Sequence, residues 1–122
     1  MARKKILVVD DTEFNRELLA QLLEDDFDLV VAEDGAEALE KIEQEKPDLV
    51  LMDLGLPIMD GWEATRRIKA NEAQKHIPVI AVTSHAMIGE ESKAREAGCD
   101  GYLPKPIDEE ELFKKIQSFL SK

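Results

Sequence analysis

Asp48-Leu49-Val50-Leu51-Met52-Asp53 sets four apolar residues in a row between two acids, and turn formers follow in Leu54-Gly55-Leu56-Pro57-Ile58-Met59-Asp60-Gly61. Such a run suits a strand buried on both faces better than one wetted on one side. A buried run that stops on a carboxylate is costly unless the strand's end opens into solvent or into a site. Asp53 is therefore expected at the carboxyl end of a central parallel strand, where open α/β sheets bind their ligands.

The pattern recurs on either side. Lys5-Ile6-Leu7-Val8-Val9-Asp10 reads as a first buried strand that again ends on an acid, followed at once by Asp11. Asp11 and Thr12 are both good N-caps for the next helix. There Phe14, Leu18, Leu22, Leu19 and Leu23 recur at helical spacing, and Glu13, Arg16, Glu17 and Gln21 are expected to face away. Leu29-Val30-Val31-Ala32 is a second strand, short and flanked by acids as suits a sheet edge. Asp34-Gly35 marks a turn, and Ala36, Leu39 and Ile42 mark a second helix that Pro47 stops.

Beyond the central strand a third helix is expected from about Trp62 to Glu72. A fourth strand follows over His76-Ile77-Pro78-Val79-Ile80-Ala81-Val82, closing on Thr83-Ser84-His85. A fourth helix, about Glu90 to Ala97, has little apolar content beyond Ala94 and Ala97, and it stops at Gly98, a residue suited to a left-handed cap. Asp100-Gly101-Tyr102-Leu103 is a short fifth strand, Pro104-Lys105-Pro106 a rigid turn, and a last helix carries Leu112, Phe113, Ile116, Phe119 and Leu120. Strand and helix thus alternate five times, which predicts an α/β fold with a parallel sheet, right-handed crossovers and helices on both faces. Five units are too few to close an eight-stranded barrel, so an open doubly wound sheet is the simplest solution.

The 122 residues, 43% hydrophobic, suffice for one compact domain over 1–122. Sixteen Lys and Arg against 27 Asp and Glu leave a net charge of −11, which argues against nucleic acid or an anionic membrane as partner. No apolar run approaches the roughly 20 residues of a membrane helix. The start, Met1-Ala2-Arg3-Lys4-Lys5-Ile6, lacks the long apolar region of a signal peptide, so the expected location is the cytoplasm. The single Cys99 has no disulfide partner in the chain and is expected as a small packing residue.

In a parallel sheet every strand delivers its last residue to one edge. That edge should collect Asp10 and Asp11 from the first strand, Asp53 from the third, Thr83 from the fourth and Lys105 after the fifth, with Glu33 and Asp34 too far out to join. Three central acids repel one another unless a cation lies among them. An all-oxygen set without His or Cys favours Mg²⁺ or Mn²⁺ over Zn²⁺. An ammonium group and a hydroxyl facing such a centre form a receptor for a phosphoryl group, and Asp53 could itself be the nucleophile.

Together, Asp10-Asp11, Asp53, Pro57-Ile58-Met59-Asp60-Gly61, Thr83, Tyr102 and Lys105-Pro106 resemble a two-component response-regulator receiver domain over nearly the whole chain. The resemblance implies a flavodoxin-like (βα)5 fold with strand order 2-1-3-4-5. It implies a phosphorylation-controlled switch, not an enzyme with turnover. Asp53 resembles the acceptor of a phosphoryl group from a histidine kinase or histidine phosphotransfer protein. Asp11 matches the direct Mg²⁺ ligand, Asp10 a ligand acting through water, and Gly55 the position whose backbone carbonyl completes the set. Lys105 resembles the lysine that pairs with the phosphoryl group, and Thr83 with Tyr102 the coupled switch pair. A downstream protein is expected to bind the face formed by the fourth helix, fifth strand and fifth helix, bordered by Met87, Ile88, Tyr102, Pro106 and Phe113. Gly55 and Ser84 depart from the commonest pattern beside the site and bear on the phosphoryl lifetime.

Two other readings compete. A Mg²⁺-dependent phosphohydrolase of the haloacid-dehalogenase type would want a second acid two residues after Asp53, where Gly55 stands. A flavodoxin-like FMN carrier would need a phosphate loop where Asp11-Thr12-Glu13 would repel the phosphate.

Overall fold

The computed structural model describes residues 4–53, 61–83, 90–104 and 107–120. In chain order its elements are β1 (Lys5–Val9), α1 (Glu13–Leu23), β2 (Asp28–Ala32), α2 (Gly35–Glu45) and β3 (Leu49–Asp53), then α3 (Gly61–Ala70), β4 (Val79–Thr83), α4 (Glu90–Ala97), β5 (Gly101–Pro104) and α5 (Glu109–Leu120). All strand pairs are parallel, in the order β2-β1-β3-β4-β5. This is the open, doubly wound sheet expected, with β2 on an edge and β3 in the middle.

Alternation along the strands builds two cores. Leu7, Val9, Val50, Met52, Val79 and Ala81 pack with Ala38 and Ile42 of α2 and Ala64 and Ile68 of α3. Ile6, Val8, Leu49, Leu51, Ile80 and Val82 pack on the other face with Leu19 and Leu23 of α1 and Leu112 and Ile116 of α5. Leu49 to Met52 are all at most 1% exposed, which is why the central strand reads as an unbroken apolar run.

The α1 stripe differs from its expected phase. Leu19 and Leu23 are buried, but Phe14 is 71% exposed and Leu18 44%. A helix turns about 100° per residue, so with Leu19 facing the sheet Phe14 lies about 140° round from it and Arg16 only about 60°. Arg16 accordingly faces inward, against expectation.

Several element ends also differ or carry unforeseen roles. α3 stops at Ala70 because Asn71 begins a turn: its Oδ1 accepts the Ala73 N–H at 2.8 Å and its carbonyl the Lys75 N–H at 2.8 Å. That turn runs on to Ile77, whose N–H goes to the Gln74 carbonyl, so β4 starts only after Pro78. Asp48 and Asp100 precede their strands and serve neighbouring ones, Asp48 Oδ2 accepting the Lys5 N–H at 2.8 Å and Asp100 Oδ2 the Val79 N–H at 2.9 Å. α2 ends as expected before Pro47, with Lys46 in the left-handed region at φ 49. Gly98, after α4, has φ +104, the conformation expected of it.

Candidate functional site

Register decides what meets at the carboxyl edge. Val9 is paired with Met52, so the residues one step further, Asp10 and Asp53, emerge side by side from adjacent strands. Asp11 follows in the connection to α1. One carboxylate oxygen from each of Asp10, Asp11 and Asp53 lies within 4.8 Å of the others. Glu33 and Asp34 stay out of this group, as expected. Asp34 is the N-cap of α2, where it accepts the Glu37 N–H at 2.8 Å.

The three acids differ in setting. Asp10 is only 2% exposed, Asp53 is half-buried and Asp11 is exposed. A carboxylate as buried as Asp10 must be supplied with donors. Its Oδ1 accepts the Thr12 N–H at 2.9 Å, and its own N–H goes to the Ala32 carbonyl at 3.1 Å. Thr12 is the N-cap position of α1, but its side chain makes no capping hydrogen bond, and the Asp10 carboxylate instead holds the backbone N–H of Thr12 itself, fixing the entry into the helix.

Arg16 completes this end of the sheet, although the sequence pattern placed it in solvent. Its Nη1 donates to the Asp10 carbonyl at 2.7 Å and its Nη2 pairs with Glu33 Oε1 at 3.3 Å. A cation six residues after a strand-end acid, in helical phase with Leu19 and Leu23, is the signal that would have found it.

Of the other expected site residues, Thr83 closes β4 in register with Pro104, and its side chain lies outside the described ones. Tyr102 is half-buried in β5 against the core beneath α2 and α3. Gly55 and Lys105 lie outside the described residues, as do Ser84, Met87, Ile88 and Pro106.

The donor set fits a hard divalent cation. It is all oxygen, carries up to three negative charges, and has a span that a partly hydrated ion can bridge, as Mg²⁺ usually keeps several waters. Asp10, Asp11 and Asp53 are the residues that would hold it.

Residues 6–117 match the family described as response regulator receiver domain. The chain belongs to that family. Among curated proteins it is similar to the polar-differentiation response regulator DivK of Brucella anthropi, at 39% identity over 118 residues that cover 96% of each chain. Among solved structures it is similar to the chemotaxis protein CheY4 of Vibrio cholerae, with a TM-score of 0.90, 28% identity and coverage of 97% and 99%. It is also similar to the receiver domain of a sensor histidine kinase from Pseudomonas aeruginosa, with a TM-score of 0.91, 33% identity and coverage of 99% and 100%. That neighbour carries a magnesium ion coordinated in its active-site cleft. As a receiver domain the chain is a regulatory part of two-component signalling, whose partners are in general histidine kinases or phosphotransfer proteins. Among the described residues no helix is long and apolar enough to cross a membrane.

Proposed function

We propose that residues 1–122 act as one cytoplasmic receiver domain that accepts a phosphoryl group on Asp53 from the phosphohistidine of a histidine kinase or phosphotransfer protein. The observation that carries this reading is the meeting of Asp10, Asp11 and Asp53 within 4.8 Å at the carboxyl edge of the central strands. Asp53 is the acceptor because it ends β3, in the middle of the sheet, and is half-exposed. Its carboxylate oxygen attacks phosphorus while the bond from phosphorus to the donor imidazole nitrogen breaks, and the imidazole leaves with the bonding pair.

Asp10, Asp11 and Asp53 would hold Mg²⁺ (or Mn²⁺), with Asp11 as the direct ligand, Asp10 acting through water and the Gly55 backbone carbonyl completing the protein's share. When bound, the ion neutralises charge shared between the carboxylates and the phosphoryl oxygens. Lys105 pairs with the phosphoryl group. Thr83 hydrogen-bonds it and couples to Tyr102, so that partner binding changes at the face of α4, β5 and α5. A marginal α4 suits such a switch. Of its described side chains only Ala97 is buried, and a poorly anchored helix shifts most easily between packings.

Intact-mass measurement after incubation with acetyl phosphate tests the reading. The parent should gain one phosphoryl group with Mg²⁺ and little without it, and Asp53→Asn should gain none. Full labelling of Asp53→Asn, or of the parent in EDTA, would overturn it. Sustained turnover of small phosphate esters would instead favour a phosphohydrolase.

A further inference from the structure

A fixed positive charge, that of Arg16, stands beside the three acids, where it would repel a divalent cation bound among them. Arg16 is only 13% exposed, so its guanidinium is not free to swing into solvent away from a bound cation. Like charges in a partly buried site repel far more strongly than in water. The geometry shows what Arg16 does there.

Asp10 is held at nearly every polar atom of its main chain and by its side chain. Its N–H is bound to Ala32 and its carboxylate receives Thr12. The carbonyl remains, and that oxygen belongs to the peptide group joining Asp10 to Asp11. Arg16 Nη1 takes it at 2.7 Å, short for a neutral acceptor, and this fixes the plane of the Asp10–Asp11 peptide. Together with the rotation about the Asp11 N–Cα bond, that plane sets the direction in which the Asp11 side chain leaves the backbone. The second arm of the guanidinium meets Glu33, just past the end of β2, at 3.3 Å. Glu33 thus partly offsets the charge of Arg16 and keeps the fork from rotating.

We infer that Arg16 is a positioning residue for the divalent-cation site: it orients the Asp10–Asp11 peptide so that the Asp11 carboxylate faces Asp10 and Asp53, while Glu33 balances its charge. The inference rests on the reading that these three acids bind Mg²⁺. It departs from a purely electrostatic account in sign. If Arg16 acted on the ion only through its charge, removing it would tighten Mg²⁺ binding. As a positioning residue, its loss loosens binding even though a repelling charge has gone.

The test is calorimetric titration of Mg²⁺ into the full chain, with urea unfolding in EDTA as the control for fold. Arg16→Met keeps the length of the stem and removes the fork, and its Mg²⁺ dissociation constant should rise by about tenfold, the usual scale for losing a residue that orients a metal ligand. Arg16→Lys keeps the charge. Its single ammonium goes to the Glu33 carboxylate, the stronger acceptor, and releases the Asp10 carbonyl, so affinity should fall here too, with electrostatics unchanged. If Arg16→Met is too unstable to titrate, Arg16→Lys decides alone. Binding as tight as the parent's or tighter in the folded variants overturns the inference and leaves the phosphoacceptor reading standing. A parent that binds no Mg²⁺ overturns both.

Discussion

The methylene stem of Lys69 occupies the space that a side chain on Gly98 would need. A Cβ built there would come 2.8 Å from Lys69 Cγ, and Gly98 sits at φ +104, where residues with side chains are strained. Lys69 cannot easily move aside, because its Nζ pairs with Asp100 at 2.7 Å and donates to the carbonyls of Ile77 at 2.7 Å and Lys75 at 3.1 Å. This knot ties the end of α3 to the start of β4 and to the turn after α4. Gly98→Ala should therefore destabilise the domain by about 1–3 kcal/mol, the scale of one strained backbone position. Urea unfolding measures it, and an unchanged midpoint would contradict the packing described.

Cys99 follows Gly98 into the core, 8% exposed, with its thiol 3.8 Å from the Thr65 hydroxyl. Burial pushes the thiol pKa above its ordinary 9.0, the Thr65 hydrogen bond opposing only in part. The unfolded chain therefore loses this proton first as pH rises. The stability linked to Cys99 is complete below the unfolded value and falls as pH climbs from there through the folded one. Cys99→Ala should remove that component of the alkaline decline. Iodoacetamide at pH 8 should label the native protein far more slowly than the urea-unfolded chain. Equal labelling rates would mean that the thiol is not buried.

Leu19 and Phe14 look equivalent in the sequence, both members of one apolar set on α1, yet only Leu19 reaches the core. Leu19→Ala should cost about 2–5 kcal/mol, as for other buried leucines. Phe14→Ala, at a site 71% exposed, should stay within about 0.5 kcal/mol. Comparable losses in the two variants would restore the helical phase read from the sequence.

That phase explains much of what the sequence leaves hidden. Strands buried on both faces declare themselves as apolar runs, and an acid that ends such a run is a discontinuity that chemistry must explain. Asp10 and Asp53 are legible for this reason. Which strands lie side by side is another matter, because parallel strands joined by crossovers can be ordered in several ways, and the order comes from the family resemblance. Arg16 escapes notice because five apolar residues on α1 define a stripe too wide to fix its centre. Counting Phe14 and Leu18 turns the helix so that Arg16 points outward. Asp100 reads as a strand residue, and the role of Asp48 goes unread, because capping of a neighbouring strand's first N–H is a long-range contact, with 43 residues separating Asp48 from Lys5 and 21 separating Asp100 from Val79. No local pattern marks such a pair.

Removing one acid from the cluster should strengthen the fold in the absence of metal. Asp10 is buried and supplied with donors, so its loss would leave the Thr12 N–H and the turn into α1 without a partner. Asp11 is the exposed member of the three, and it crowds Asp10 and Asp53. Asp11→Ala in EDTA should therefore melt at the same temperature as the parent or above it, because one repelling charge is gone. Mg²⁺ should reverse the ranking. An ion that binds only the folded parent stabilises it by about 2.7 kcal/mol at a hundred times its dissociation constant, whereas the variant, lacking the carboxylate proposed as the direct ligand, should gain much less. The measurement is two melting curves for each protein, one in EDTA and one in excess Mg²⁺. A variant that melts below the parent in EDTA would show that Asp11 stabilises the fold instead of straining it. A full Mg²⁺ response in the variant would show that the ion does not depend on Asp11.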